Sequence, residues 1–180
     1  MFPATIAAEL ERVSPGRIVH RTPFARFGFA TRGQPVLGRV AEILKAFGCT
    51  VTFEQDERTL LWRKLAVLAP MALTTTASSK SIGEIRADPT WQARLEAAVR
   101  EAGAVATADG AAISVDQTLA FLNGTPPTLR SSMQKDVAAG RTPELDAIGG
   151  PVIRAAERYG IPVPVTTTLI EAIERRSKEH

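Results

Sequence analysis

Lys64 interrupts the most apolar stretch of the chain, Leu60–Ser79 (LLWRKLAVLAPMALTTTASS). Residues 65 to 73 are all apolar, so a helix made from them has no wet side and must be covered all round. A lysine at the entrance to such a helix has two readings. It can snorkel, laying its methylenes on the apolar face and its ammonium in water. It can also stand partly desolvated in a cleft, as a proton donor or as a cation for a developing oxyanion. On a helix its same-face neighbours are Leu60, Leu61, Leu68 and Met71.

Two more groups could do chemistry. Ser131-Ser132-Met133-Gln134 fits a capping box, with Ser131 as cap and Gln134 three residues on. The bland reading is a cap. The functional one uses the hydroxyls and free N–H groups there as a seat for a carboxylate or phosphate. Glu144 follows Thr142-Pro143 in a second start signal. It either complements a helix dipole or accepts a hydrogen bond from a substrate hydroxyl.

The elements that must position these residues fall into two groups, with the boundary near residue 54. Residues 1–53 read as a partial α/β segment. Phe2–Leu10 fits either a short helix or a strand, Ser14-Pro15-Gly16 is a turn, and Arg17–Arg21, Ala25–Thr31 and Cys49–Phe53 are strand-like. Pro35–Phe47 is the one clear helix, ended by Gly48. Residues 54–180 read as five to seven helices. Pro70 should kink the Lys64 helix or end its first segment. Thr74–Ser81 should form the loop after it, and a short helix comes next at Ile82–Arg86. A longer helix runs from Asp88-Pro89 to Ala108. Ser114 caps another, and a further one runs from Ser131 to Gly140. One from Thr142 to Gly160 has Gly149-Gly150-Pro151 as a close contact or kink. The last is Val165–Lys178. The fold class is α+β, mainly α.

Composition narrows the function. Of the 180 residues 44% are hydrophobic and 23% charged, an ordinary globular profile, and the net charge is +3. The basic residues are spread among acids, which argues against a nucleic-acid surface. Cys49 is the single cysteine and reads as a small hydrophobe. His20 and His180 lie far from each other and from any carboxylate cluster, so no metal site is expected. No run reaches the roughly 20 apolar residues of a membrane span. The first residues carry no basic leader, and a cytoplasmic protein is expected. Gly28, Gly33 and Gly38 do not have the spacing of a dinucleotide loop, so no nucleotide site is expected within the chain.

Leu61-Trp62-Arg63-Lys64-Leu65, joined far downstream by Ser131–Asp136 and Gly140–Asp146, resembles the C-terminal half of the ketopantoate reductase (2-dehydropantoate 2-reductase) family. Pro15–His20 and Tyr159–Pro164 look like its landmarks too. The resemblance implies two domains. A Rossmann domain binds NADPH, and a helical domain like the C-terminal one of 6-phosphogluconate dehydrogenase completes the substrate cleft. This chain corresponds to the last strands of the first and the whole of the second, without the NADPH-binding core.

Carried over by position, Lys64 is the general acid on the ketone oxygen, Ser132 (beside Ser131) hydrogen-bonds the substrate and Glu144 orients it. The family places asparagines four and eight residues after the lysine. Here those substrate-facing positions are Leu68 and Ala72, so two polar contacts are apolar. The implied ligand is a small 2-oxo acid or similar carboxylate. NADPH is implied by the family but is not bound by this chain alone. The expected partner is a second copy or a separate Rossmann-domain chain. The alternative is a non-catalytic, homodimeric binding module that keeps the fold.

Overall fold

The structure, a computed structural model, describes residues 1–8, 10–20 and 24–178. Glu9, Arg21 and His180, which enter the sequence expectations, lie outside the described residues. The chain divides into two units, Met1–Leu61 and Trp62–His180.

In the first unit, strands β1 (Ala4–Ala7), β2 (Leu10–Ser14), β3 (Arg17–His20) and β4 (Arg26–Ala30) are followed by helix α1 (Gln34–Ala46) and strand β5 (Thr50–Glu54). The ambiguous first segment is therefore extended. β1, β4 and β5 form a sheet in that order, with β1 antiparallel to β4 and β4 parallel to β5; β2 and β3 form a separate hairpin. Register explains the sheet's two faces. Ile6 pairs with Phe27 and Phe27 with Val51, while Phe29 lies between Ala4 and Phe53. Paired residues share a face, so one side is apolar and the other carries Thr5, Gly28 and Thr52. Gly28 is a packing glycine: a Cβ there would stand 2.7 Å from Leu60 Cδ1 and from Thr5 Oγ1.

The second unit is helical. Helix α2 (Glu57–Ser78) starts in the first unit and runs into this one. It is followed by α3 (Ile82–Ala87), α4 (Pro89–Ala108), α5 (Val115–Asn123), α6 (Ser132–Ala138), α7 (Leu145–Ile148), α8 (Gly150–Tyr159) and α9 (Pro164–Lys178). The helix expected from Thr142 to Gly160 is two helices, α7 and α8, parted at Gly149. The glycine is a close contact as well, since a Cβ would lie 2.7 Å from Ile170 Cδ1. Thr142 is not the cap; Glu144 occupies the position before α7 and makes no side-chain cap bond.

Helix α2 departs most from expectation. Pro70 does not end it, and Thr74–Ser78 is helix rather than loop. Proline removes an N–H from the ladder, and the turns after it are held by hydroxyls bonding back to carbonyls. Thr74 Oγ1 donates to Pro70 O at 2.7 Å, Thr75 Oγ1 to Met71 O at 2.8 Å and Ser78 Oγ to Thr74 O at 2.7 Å. The left-handed backbone of Ser79 (φ 59°) then ends the helix. Arg176 on α9 donates to the Ala77 carbonyl at 3.1 Å and to Ser79 Oγ at 2.7 Å. No residue from 65 to 73 is exposed, as an all-apolar run requires.

Several caps match the sequence expectation. Asp88 accepts from the N–H groups of Thr90 and Trp91, with Pro89 at the first helical position. Ser114 accepts from Gln117. A full capping box that the sequence reading missed joins Ser81 and Glu84. Glu101 on α4 closes the start of α9, accepting from the N–H groups of Val165 and Thr166 at 2.8 Å each.

Two glycines separate propensity from packing. Alanine is favoured over glycine in a helix by roughly 0.8–1 kcal/mol. At Gly38 on α1 a Cβ meets nothing within 4 Å, so Gly38→Ala should raise Tm. At Gly83 on α3 a Cβ would lie 2.6 Å from Pro127 Cβ and 2.7 Å from its carbonyl oxygen. Overpacking of about 1–3 kcal/mol outweighs the propensity gain there, so Gly83→Ala should lower Tm in the same thermal melts.

Asp88 gives a pH prediction. Its carboxyl is held below the usual carboxylate range, first by the Trp91 N–H and then by Lys80 and Thr90, against the opposing effect of burial. A depressed folded value means a contribution that is present above the unfolded pKa and lost as pH falls through the folded one. Asp88→Asn keeps a competent cap. The Tm difference between wild type and this variant should therefore shrink as melts are repeated toward acid pH.

Candidate functional site

Lys64 owes its position to Trp62. The indole is buried, and its Nε1 donates to Asp109 Oδ2 at 2.7 Å. Asp109 Oδ1 also accepts from the Tyr159 hydroxyl at 2.6 Å. Two residues along a helix turn the side chain by roughly 200°, so anchoring Trp62 in the core aims Lys64 away from it. Lys64 is exposed.

From Lys64 one stripe runs along α2 through Leu68, Met71 and Thr75, at offsets of four, seven and eleven residues. It passes from water into the core: Leu68 and Met71 are half-buried and Thr75 is fully buried. Ala72 lies at the edge of this stripe, 1% exposed, among the residues of the main core.

At the buried end the stripe meets the second predicted group. Thr75 Oγ1 and Ser131 Oγ are 2.8 Å apart, both buried. Ser131 Oγ in turn accepts from the Gln134 N–H at 3.1 Å, which caps α6. The capping box is thus half made, because the Gln134 amide donates to the Lys80 carbonyl instead. Next to Ser131, Ser132 opens α6 with its side chain exposed, while Met133 returns to the core. Helix α6 has seven residues and a short macrodipole, so any anion bound there would rely on the Ser132 hydroxyl and nearby N–H groups.

Thr75 is the residue that sequence reasoning missed. The signal was available in its offset of eleven from Lys64, but Pro70 and the run of hydroxyls made the segment read as loop.

Glu144 is exposed just before α7, and its carboxylate makes no cap bond. Around it Arg141 pairs with Asp136 at 2.6 Å and Arg154 with Asp146 at 2.5 Å. The structure thus ties Ser131 to the Lys64 helix. It leaves Glu144 on a separate segment, with no described bond to either. A shallow depression between α8 and α9, lined by Ile153, Glu157, Pro162 and Thr167 among others, includes none of the predicted residues.

Among the described residues no group of three or more His, Cys, Asp or Glu could hold a metal, and no helix is long and apolar enough to cross a membrane.

Comparison with known proteins bears on the family and the fold. The family described as "Ketopantoate reductase PanE/ApbA C terminal" matches residues 56–177. A 2-dehydropantoate 2-reductase of Mycobacterium tuberculosis is 30% identical over 146 residues, 79% of this chain and 49% of that protein. The chain spans about half the length of the curated relatives it matches.

Among solved structures, a PanE/ApbA family ketopantoate reductase from Ralstonia eutropha JMP134 superposes with a TM-score of 0.83 at 23% identity. It covers 98% of this chain and 59% of its own. A D-mandelate dehydrogenase bound to NADH and anilino(oxo)acetate superposes at 0.84 with 19% identity, covering 97% and 59%. With most of its length inside the matched region, the chain belongs to the ketopantoate reductase C-terminal family.

Proposed function

We propose that this chain is the substrate-binding C-terminal portion of an NADPH-dependent oxidoreductase acting on a 2-oxo acid, and is inactive without a nicotinamide-binding half. The observation that carries the reading is the Thr75–Ser131 hydrogen bond, because it fixes Ser132 against the helix that presents Lys64. By helical rise Lys64 and Thr75 are about 16 Å apart along α2. Helical side chains lean toward the N-terminus, so a substrate seated at Ser132 has to reach along the Leu68–Met71 face to meet the lysine. In this reading Ser132 holds the carboxylate, and the Lys64 ammonium gives its proton to the ketone oxygen as hydride arrives at the carbonyl carbon. Glu144 accepts from a substrate hydroxyl. The cation at the developing alkoxide is the group that lowers the barrier.

NADPH would supply the hydride when bound. The sequence contains no dinucleotide loop, and a Cβ at Gly28 would meet Thr5 and Leu60 within the fold rather than open a phosphate cradle. The fit is therefore to an α/β half outside these residues, from a separate chain or a longer one.

Leu68 forms the wall beside Lys64, so the substituent facing it is apolar and the substrate need not be ketopantoate. The D-mandelate dehydrogenase neighbour, which holds an aryl-substituted oxo acid, supports that wider class. A homodimer fits as well, since one solved neighbour is described as a dimeric ketopantoate reductase.

The test is oxidation of NADPH with a panel of 2-oxo acids, with and without a nicotinamide-binding half. The chain alone should show no NADPH binding; saturable binding in a titration would overturn that part. With the half supplied, Lys64→Ala should cut kcat by about 10²–10⁴-fold, the range for a general acid. Its effect on stability should stay within about 0.5 kcal/mol, as for an exposed position. Turnover unchanged in this variant sinks the assignment.

Thr75 has its own prediction. Thr75→Val removes the hydroxyl and leaves Ser131 without that partner, costing about 1–3 kcal/mol. Hydrogen exchange at residues 132–135 should rise, and KM for the oxo acid should rise more than kcat falls. Thr75→Ser should restore both.

A further inference from the structure

We propose that Asp109 and Tyr159 are positioning residues for Lys64 and act on it through the Trp62 indole. The proposal rests on the reading of Lys64 as the proton donor. Residues 65 to 73 of α2 are apolar without exception, and apolar burial is non-directional. The core therefore holds α2 in place but fixes its roll about its own axis only weakly. A directional bond has to choose that roll. Near Lys64 one comes from Trp62 Nε1, which donates to Asp109 Oδ2 at 2.7 Å.

Asp109 can choose because its own plane is set. A carboxylate turns easily about its last bond, whose torsion is broad. Here each oxygen has its own donor, the indole on Oδ2 and the Tyr159 hydroxyl on Oδ1 at 2.6 Å. Asp109 closes the end of α4, with its N–H bonded back to the Val105 and Thr107 carbonyls. Tyr159 is the last residue of α8. The ends of two helices thus hold one carboxylate, and the carboxylate holds the indole. Tyr159 is 38% exposed, so water would serve its hydroxyl in any case. Its bond to Asp109 adds direction rather than burial.

Trp62 and Lys64 are two residues apart on one helix, so a roll that moves the indole turns the lysine by the same angle. At the outer radius of a helix, about 5–6 Å, a roll of about 10° displaces an atom by about 1 Å. A misplacement of that size at a reacting group can cost about 10²-fold in rate. A single bond from α8 can therefore weigh more on turnover than on folding.

Two measurements on the whole chain test this. The first needs no turnover. Lysines are reductively dimethylated with isotope-labelled methyl groups, and the Lys64 resonance is assigned by its loss in Lys64→Arg. Tyr159→Phe and Asp109→Ala should both move that resonance, Asp109→Ala further, while the Lys135 resonance on α6 stays. Tyr159→Phe keeps the ring, so the test survives if Asp109→Ala fails to fold. Asp109→Asn still accepts from the indole and can donate to the Tyr159 oxygen, so it should return the resonance toward wild type. A Lys64 resonance unmoved in Tyr159→Phe and Asp109→Ala overturns the proposal. The second measurement is NADPH oxidation with the nicotinamide-binding half supplied. Asp109→Ala should lower kcat by about tenfold or more and leave KM for the oxo acid nearly unchanged, the pattern of a group displaced in the transition state. Tyr159→Phe should do the same to a smaller extent. In a Lys64→Ala background neither change should lower kcat further. An equal drop in that background marks a merely structural loss and overturns the positioning role. Turnover unchanged in Lys64→Ala alone sinks the proton-donor reading and the kinetic role with it, and the first measurement still upholds or removes the tie between Asp109 and the lysine.

Discussion

The burial of helix α2 is the constraint on which the second unit depends. From residue 65 to 76 no side chain is exposed, so water is not at hand to satisfy backbone groups there. A buried backbone must account for every polar group internally, and Pro70 takes one donor out of the ladder. Thr74, Thr75 and Ser78 are short enough to fold back onto carbonyls one turn earlier. In an exposed helix such bonding competes with the backbone and is mildly unfavourable. In this helix it keeps the hydroxyls satisfied where water cannot. Thr74, Thr75 and Ser78 are therefore part of how the helix survives burial, whereas the buried Thr76 Oγ1 has no hydrogen-bond partner.

The same constraint builds the candidate site. A hydroxyl inside the core can serve a second partner, and Thr75 does so by meeting Ser131. The start of α6 is thereby tied to the middle of the fold, and Ser132 beside it is held at the surface. At the other end Trp62 and Asp109 fix the rotation of α2, which decides the direction of Lys64. Asp109 and Glu101 act alike: each carboxylate accepts from groups on another helix, locking α8 and α9 to α4.

Much of this was legible because local chemistry and tertiary packing agree. Asp88-Pro89, Ser114 and Ser131 are helix starts by side-chain geometry alone, and they start helices here. The failures occur where the two disagree. Pro70 signals a helix break, yet the helix continues through it where both flanking turns are packed away from water. Thr142-Pro143-Glu144 has a start signal, yet the helix begins two residues later, with Glu144 in the cap position. Gly149, pressed against Ile170, splits the expected single helix into α7 and α8. The bond that ties the start of α6 to the Lys64 helix through Thr75 could not be seen while that residue was assigned to a loop.

Leu68 and Ala72 show how far a site and a core can share one helix. By the resemblance, both stand at positions expected to carry asparagine. Leu68 is half-buried at the wall next to Lys64, where a polar group could still find water or ligand. Ala72 is 1% exposed and sits among Trp62, Ala69 and Leu73 in the main cluster. An amide placed there without a partner would cost on the order of 1–3 kcal/mol. The two changes therefore differ in kind. One alters what the wall offers to a ligand, while the other lets the helix close into the core. A chain that has taken both has a drier wall and a tighter centre.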